Sequence, residues 1–381
     1  MKTCGIICEY NPFHSGHAYH IAKTKEQTGA THVVCVMSAT CVQRGDFAIY
    51  DKWTRAKAAI DGGADLVIEL ASAKAVASAE KFAYNAVSLL DKMNLVDILS
   101  FGSECGNIDA LLKNAAICKS ESFSSALKAE LSKGVGYHDA YTNALVSCGG
   151  DADIIDGANN LLGLEYIKAL DKLESKMAPF TVKREGAYHD ELKNTSIHPS
   201  ASFLRSQILS GEAEPKTTIH SLSLAEKAAL ALLRNPSVDF SKLADVSEGI
   251  ENRLQKAISS STSLSEIYEK TKTKRYSMSR IRRLVLCACI GLTENLAKTE
   301  QNYFRILALN SKGAELVDRL RKVSQTPVIT RLLADYSEEK NLPPLLAFEC
   351  KVQNLYGIFS DSVSPCGEEL THSPVFIDTK V

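Results

Sequence analysis

The chain has 381 residues, 45% of them hydrophobic and 23% charged, with a formal net charge of −1. That length allows two or three domains with buried cores, the composition is that of a soluble globular protein, and the near-zero charge leaves any nucleic-acid partner to local patches. No run of about 18 apolar residues occurs, which argues against a membrane span, and the start Met1-Lys2-Thr3-Cys4 turns polar by Glu9, unlike a secretory signal.

The first hundred residues alternate between β-rich runs and helical patterns. Strands are expected at Thr3–Cys8, His32–Met37, Asp65–Leu70 and 97–101, with helices at 17–25, at 51–61 behind an Asp51 cap, and at 78–93 behind a Ser78 cap. Strand, helix, strand at this spacing predicts a parallel sheet with helices on its faces, and the near-continuous apolar strands fit burial on both sides. Residues 107–150 read as a helical insertion. A helix at 159–170, a fifth strand at 179–184 and a helix at 200–209 follow. Gly211-Glu212-Ala213-Glu214-Pro215 reads as a boundary. The expectation is an α/β domain over 1–210 and a mainly helical domain over 216–381, with 216–350 almost wholly helical in pattern.

Eleven cysteines are scattered without C-x-x-C spacing, many in apolar stretches such as Cys35. They read as buried reduced thiols of a cytosolic protein. A zinc site needs four ligands at recognisable spacing, so no metal-ligating residues are assigned.

In open α/β sheets, ligands sit beyond the carboxyl ends of the strands. Asn11-Pro12-Phe13-His14-Ser15-Gly16-His17 lies there, between the first strand and the first helix. Pro12 stiffens the loop, Gly16 lets backbone approach a ligand, and a helix opening offers N–H groups to an anion. His14 and His17 add two imidazole donors suited to charge developing on a polyphosphate; either alone would more often be structural. This segment resembles the H-x-G-H signature of the nucleotidyltransferase superfamily, whose fold is Rossmann-like and whose histidines contact nucleotide phosphates. Ser200-Ala201-Ser202-Phe203-Leu204-Arg205 resembles that superfamily's second signature, though alone it would read as a capped helix.

The resemblance extends in order over residues 3–310. G-I-I-C-E-Y-N-P-F-H-S-G-H (5–17), V-Q-R-G-D (42–46), D-K-W-x-R-A (51–56), G-A-D-L-V-I-E-L (63–70), S-A-E-K-F-A (78–83), F-G-S-E (101–104), N-N-L-L-G-L-E-Y-I-K-A-L (159–170), V-K-R-E-G-A-Y-H-D (182–190), S-E-G-I-E-N-R-L (247–254) and K-T-K-R-Y-S-M-S-R-I-R-R (272–283) are similar to the tRNA(Met) cytidine acetate ligase family. The resemblance implies an enzyme that makes acetyl-adenylate from ATP and acetate, without acetyl-CoA. It then acetylates N4 of the wobble cytidine of elongator tRNA(Met). It also implies that ATP is held by Ile7, Cys8, Glu9, Tyr10, Asn11, Pro12, Phe13, His14, Ser15, Gly16, His17, Ala18, Tyr19 and His20, with Gly102, Asn159, Asn160 and Arg184. Gly102 otherwise reads as a turn glycine, the asparagines as helix caps and Arg184 as a structural ion pair. Mg²⁺ is expected on the phosphates, held mostly by substrate oxygens.

Lys272, Lys274, Arg275, Arg280, Arg282 and Arg283 form a basic run with no acid in it, around Tyr276. Such a run is usually a solvated helix face. In a tRNA-modifying family it is expected to bind RNA backbone, with Tyr276 stacking on a base. Arg44 or Lys52 could touch acetate or tRNA. The chain departs from the family at Ala39-Thr40, Ala71 and Ala158, which puts the acceptor in question. Two other functions stand beside the ligase: an adenylyltransferase forming a dinucleotide cofactor, and a non-catalytic RNA-binding protein with a nucleotide pocket.

Overall fold

The structure is a computed structural model that describes residues 1–155, 157–184, 199–336 and 341–378, the side chains of 137 and 138 apart. Residues 185–190 of the V-K-R-E-G-A-Y-H-D segment lie outside the described residues. The strands are β1 (Thr3–Cys8), β2 (His32–Ser38), β3 (Cys41–Val42), β4 (Asp46–Phe47), β5 (Leu66–Leu70), β6 (Ile98–Ser103), β7 (Ala178–Lys183), β8 (Phe304–Leu309), β9 (Val328–Ile329) and β10 (Val375–Phe376). The main sheet runs β10-β8-β5-β2-β1-β6-β7, with β9 beside β8. From β5 to β7 every pairing is parallel, as expected for strands buried on both faces. Chain order reverses at β1, whose neighbours are β2 and β6, so the crevice between the carboxyl ends of β1 and β6 is the topological switch point where ligands bind.

Local chemistry sets most element ends. Asp51 caps the Lys52–Asp61 helix by accepting from Thr54 N, and Ser78 caps Ala79–Lys92 by accepting from Lys81 N. The insertion folds as Ile108–Cys118, Glu121–Ser132 and Tyr137–Ser147. One hydrophobic core lies against β2, β5 and β6 beneath Ala79–Lys92 and Ala158–Lys172, a second under Ser15–Thr28 and Lys52–Asp61, and a third among the C-terminal helices.

The expectation of almost unbroken helix over 216–350 needs a correction. Residues 304–309 form β8, which pairs antiparallel with β5, and β9 and β10 then pair with β8. The sheet therefore draws strands from both sides of the expected boundary at 211–215. A buried cluster ties the two sides together. Lys52 Nζ lies 2.5 Å from both Glu69 and Glu369, and Arg305 Nε lies 3.6 Å from Glu369, with all four side chains fully buried. Lys52 is thus out of reach of acetate or tRNA. Arg55 of the same helix is also buried and donates to the carbonyls of Tyr50, Glu9, Ser38 and Ala39, fastening the exits of β1 and β2.

Candidate active site

β1 ends at Cys8 and the chain turns sharply, with Tyr10 at φ 46° and a cis bond between Asn11 and Pro12. Ile49 N donates to Asn11 Oδ1 at 2.8 Å, holding the turn against the following segment. His14 is the N-cap of the Ser15–Thr28 helix: its Nδ1 accepts from Gly16 N at 3.1 Å, and His17 Nδ1 accepts from His14 N at 3.3 Å. The rings stack at 3.8 Å, and Tyr10 and Phe13 brace His17 at 4.8 and 5.6 Å. Because both Nδ1 atoms accept from backbone, a neutral ring carries its proton on Nε2. Burial, then His14, Arg184 and His20, keep the His17 pKa well below the usual histidine range, so His17 is neutral near pH 7. Burial and Arg184 lower His20 to about 4, and its Nε2 meets Ser100 Oγ at 3.0 Å.

This geometry corrects one expectation. The Gly16 amide is occupied by the His14 ring, and the His17 amide by the His14 carbonyl at 2.9 Å. The Gly16 and His17 amides, expected to face an anion, are therefore engaged within the helix start itself.

One large cavity, about 1170 Å³, opens at the switch point and is lined by Ile7, Cys8, Glu9, Tyr10, Asn11, His14, Gly16, His17, Tyr19, His20, Gly102, Asn159 and Arg184. Pro12, Phe13, Ser15, Ala18 and Asn160 are not in its wall. Phe13 packs instead on Gly62, where an added Cβ would lie 2.2 Å from its ring. Asn160 Oδ1 accepts from Glu104 N and Cys105 N at 3.0 and 3.1 Å, fixing the loop after β6. Glu104 in turn accepts from the Asn159 and Asn160 amides at 3.2 and 2.8 Å, so the Ala158–Lys172 helix start is already capped. Burial raises the Glu104 pKa, but the Asn159 side-chain amide, donating at 2.6 Å, and these backbone bonds outweigh it and hold the carboxyl below its usual range. Asn159 faces the cavity, and its Oδ1 accepts from Arg184 Nη1 at 3.3 Å.

The second signature joins the first directly. Ser200 caps the Ala201–Leu209 helix, which points Arg205 into the cavity. There Nη1 donates to Asn11 O at 2.6 Å and Nη2 to Ser202 Oγ at 3.1 Å. Ser200, Ser202 and Arg205 thus share the wall with His14 and His17.

The basic run separates in space. Lys272, Lys274 and Arg275 are exposed and stand outside the cavity, whereas Arg282 lines it. Tyr276 is 7% exposed and its hydroxyl donates to Glu248 O at 2.7 Å, so it does not present a face for a base. Arg283 is 6% exposed and pairs with Asp245 at 3.0 Å, and Arg280 donates to Ser247 Oγ at 2.6 Å. A basic helix with one buried edge spends part of its charge on the fold. Of the departures from the family pattern, Ala39, Thr40 and Ala71 are buried, with Thr40 donating to Gln353 at 2.8 Å, and Ala158 lines the cavity. Arg44 of the V-Q-R-G-D segment also lines it, as do Glu226 and Tyr268, which carry no motif-level signal.

A parallel sheet with H-x-G-H at the exit of its central strand defines a nucleotidyl transferase, and the family described as HIGH Nucleotidyl Transferase matches residues 1–369. Similar proteins from Clostridium perfringens (35% identical; 99% of this chain and all of that one), Caldanaerobacter subterraneus subsp. tengcongensis (38%; 87% and 89%) and Clostridium tetani (36%; 97% and 98%) are each named tRNA(Met) cytidine acetate ligase. The crystal structure of Thermotoga maritima TmcAL bound with alpha-thio ATP superposes with a TM-score of 0.84 at 28% identity, covering both chains completely. The chain belongs to the tRNA(Met) cytidine acetate ligase family.

Proposed function

We propose that the chain binds ATP in this cavity, activates acetate as acetyl-adenylate, and acetylates N4 of the wobble cytidine of elongator tRNA(Met). The observation that carries the reading is the pair His14 and His17, tied at Nδ1 by backbone and placed with their rings in the cavity wall. Acetate is inert to an exocyclic amine because oxide is a poor leaving group. An acetate oxygen attacks the α-phosphorus, a P–O bond forms, and the bond to the bridging oxygen breaks. Pyrophosphate leaves toward the two Nε2–H donors, which stabilise its growing charge. Arg184 and Arg205 supply fixed positive charge in the same wall. The N4 amine then attacks the acetyl carbonyl, the N–C bond forms, the C–O bond to AMP breaks, and the amine proton is lost to water.

Activation by ATP supplies the leaving group, so acetyl-CoA has no place in this scheme. Mg²⁺ would ride on the triphosphate oxygens. Residues 1–210 would carry the chemistry and 216–381 most of the tRNA contact, with Lys272, Lys274 and Arg275 free to meet the RNA backbone. On this reading the protein would act on tRNA in the cytoplasm; among the described residues no helix is long and apolar enough to cross a membrane.

Incubation with ATP, labelled acetate and bacterial tRNA tests this. Acid-stable label in RNA, without acetyl-CoA, is expected. Pyrophosphate release with an adenylylated small molecule instead would favour the cofactor enzyme, and tRNA retention with neither product would favour the RNA-binding protein.

A further inference from the structure

Part of the cavity wall away from the sheet's strand ends is supplied by the β3–β4 hairpin and the C-terminal helices. The β3–β4 hairpin enters here, and Gly45, at φ +82°, lies so close to the Met278–Ile290 helix that an added Cβ would fall 2.4 Å from Arg283 N. Asp46 holds the hairpin in place by accepting from Leu222 N at 2.9 Å and Ser221 Oγ at 3.0 Å. This contact sets Arg44 of the hairpin and Arg282 of the helix around one compartment, with Glu226 and Tyr268 completing its wall. Neither arginine has an ion-pair partner among the described residues. Glu226 Oε1 accepts from Leu264 N at 2.7 Å, and its other oxygen has no partner among the described residues. Arg282 sits over the Tyr268 ring at 5.7 Å, while the Tyr268 hydroxyl, too, lacks a hydrogen-bond partner among the described residues. Burial, then the nearby Asp46, hold that hydroxyl protonated, and Glu226 lies within its field.

Two guanidinium groups without an ion pair, a half-used carboxylate and an unused phenol, each so among the described residues, are not what packing requires in one compartment. They match a nucleotide whose base offers an N–H. The guanidinium groups suit phosphodiester oxygens. An ionised carboxylate only accepts, so it complements the exocyclic amine of cytosine and repels the carbonyl that uracil carries at that position. The phenol can donate to the ring carbonyl or ring nitrogen of the same base.

We propose that this compartment is the acceptor-nucleoside subsite, with Glu226 as the residue that selects the amine-bearing base, Tyr268 as its second reader, and Arg44 and Arg282 as the phosphodiester clamp. The proposal rests on the ligase reading above and adds to it where the base sits. A base held here shares one continuous cavity with the adenylate made beside His14 and His17, so its amine needs no second opening to reach the acetyl carbon.

The test uses the full chain with ATP and two stem–loop RNAs that differ only in cytidine or uridine at the acetylated position. Binding is read by fluorescence anisotropy and the two half-reactions by pyrophosphate–ATP exchange and acetyl transfer. The unaltered protein is expected to prefer the cytidine RNA about tenfold, the scale of one good base contact. Glu226→Gln keeps an oxygen for Leu264 N, and its amide can donate to the uracil carbonyl. The preference should fall to about one or reverse, and the ratio of transfer to exchange should drop about tenfold. Tyr268→Phe should lower affinity for the cytidine RNA severalfold, and Arg44→Ala and Arg282→Ala should weaken both RNAs alike. A Glu226→Gln protein that keeps its preference and its transfer-to-exchange ratio overturns the assignment. A chain with no acetate-dependent exchange overturns the ligase reading, and the subsite with it.

Discussion

Replacing His17 separates the two jobs that its ring performs. Nδ1 accepts from His14 N at 3.3 Å and so fixes the neighbouring imidazole, while the ring carries the proton on Nε2. In His17→Asn the side-chain oxygen falls near the position of Nδ1, so the cap survives and the outer donor is lost. In His17→Gln the amide nitrogen reaches near the position of Nε2, so a donor survives and the cap is lost. Loss of one donor to a developing oxyanion costs about 10²–10³ in rate, or about 2.7–4 kcal/mol of barrier. Acetate-dependent pyrophosphate–ATP exchange should therefore fall about 10²–10³-fold in His17→Asn and markedly less in His17→Gln. Each variant also loses ring contacts with Tyr10, Phe13 and His14, at about 1–2 kcal/mol of stability, which denaturant unfolding would register. Because His17 is held neutral well below its usual range, it adds no acidic limb to the exchange rate near pH 7. Full exchange in His17→Asn, or an equal loss in both variants, would refute the donor role.

Arg205→Lys removes the fork that reaches Asn11 O and Ser202 Oγ together, and should lower exchange about tenfold while the helix cap at Ser200 keeps the fold; unchanged exchange would leave Arg205 as packing only. Arg283→Glu breaks a largely buried pair with Asp245 and should cost about 3 kcal/mol or more in unfolding experiments, whereas Lys274→Glu with Arg275→Glu should leave stability unchanged and weaken tRNA binding. Burial, then Glu69, raise the Glu349 pKa from 4.5 to about 8 against the pull of Lys52, and Ser72 N and Oγ donate to its two oxygens at 2.5 and 2.9 Å. A raised folded pKa gives stability that is complete below about pH 4.5 and is lost as pH rises through about 8. Glu349→Gln cannot ionise, so relative to it the unaltered protein should lose up to roughly 1.4 kcal/mol per pH unit across that window. Parallel unfolding curves at pH 5, 7 and 9 would contradict the assignment.

The α/β half was legible because its signals are local. β1 is a six-residue run that ends where the loop motif starts, and Asp51, Ser78 and Ser200 are caps whose hydroxyl or carboxylate chemistry is visible one residue before each helix. β8 was not legible, because a short apolar run between helical patterns has the same composition as a buried helical segment, and its partner β5 lies far off in sequence. The same distance hid the Arg205 bond to Asn11, which joins residues 194 apart, and the pairing of Lys52 with Glu369. The capping box was hidden for another reason: H-x-x-H spacing does not say whether a ring nitrogen turns to backbone or to ligand. The basic run misled at Tyr276 and Arg283 because composition does not tell which edge of a helix is buried, and the Met278–Ile290 helix buries its Arg283 edge.

A crystal structure with a non-hydrolysable ATP analogue would test the central claim most directly. Phosphate oxygens should lie about 2.7–3.2 Å from Nε2 of both His14 and His17, with each Nδ1 still on backbone. A triphosphate seated elsewhere, with those two rings facing no part of the nucleotide, would contradict it.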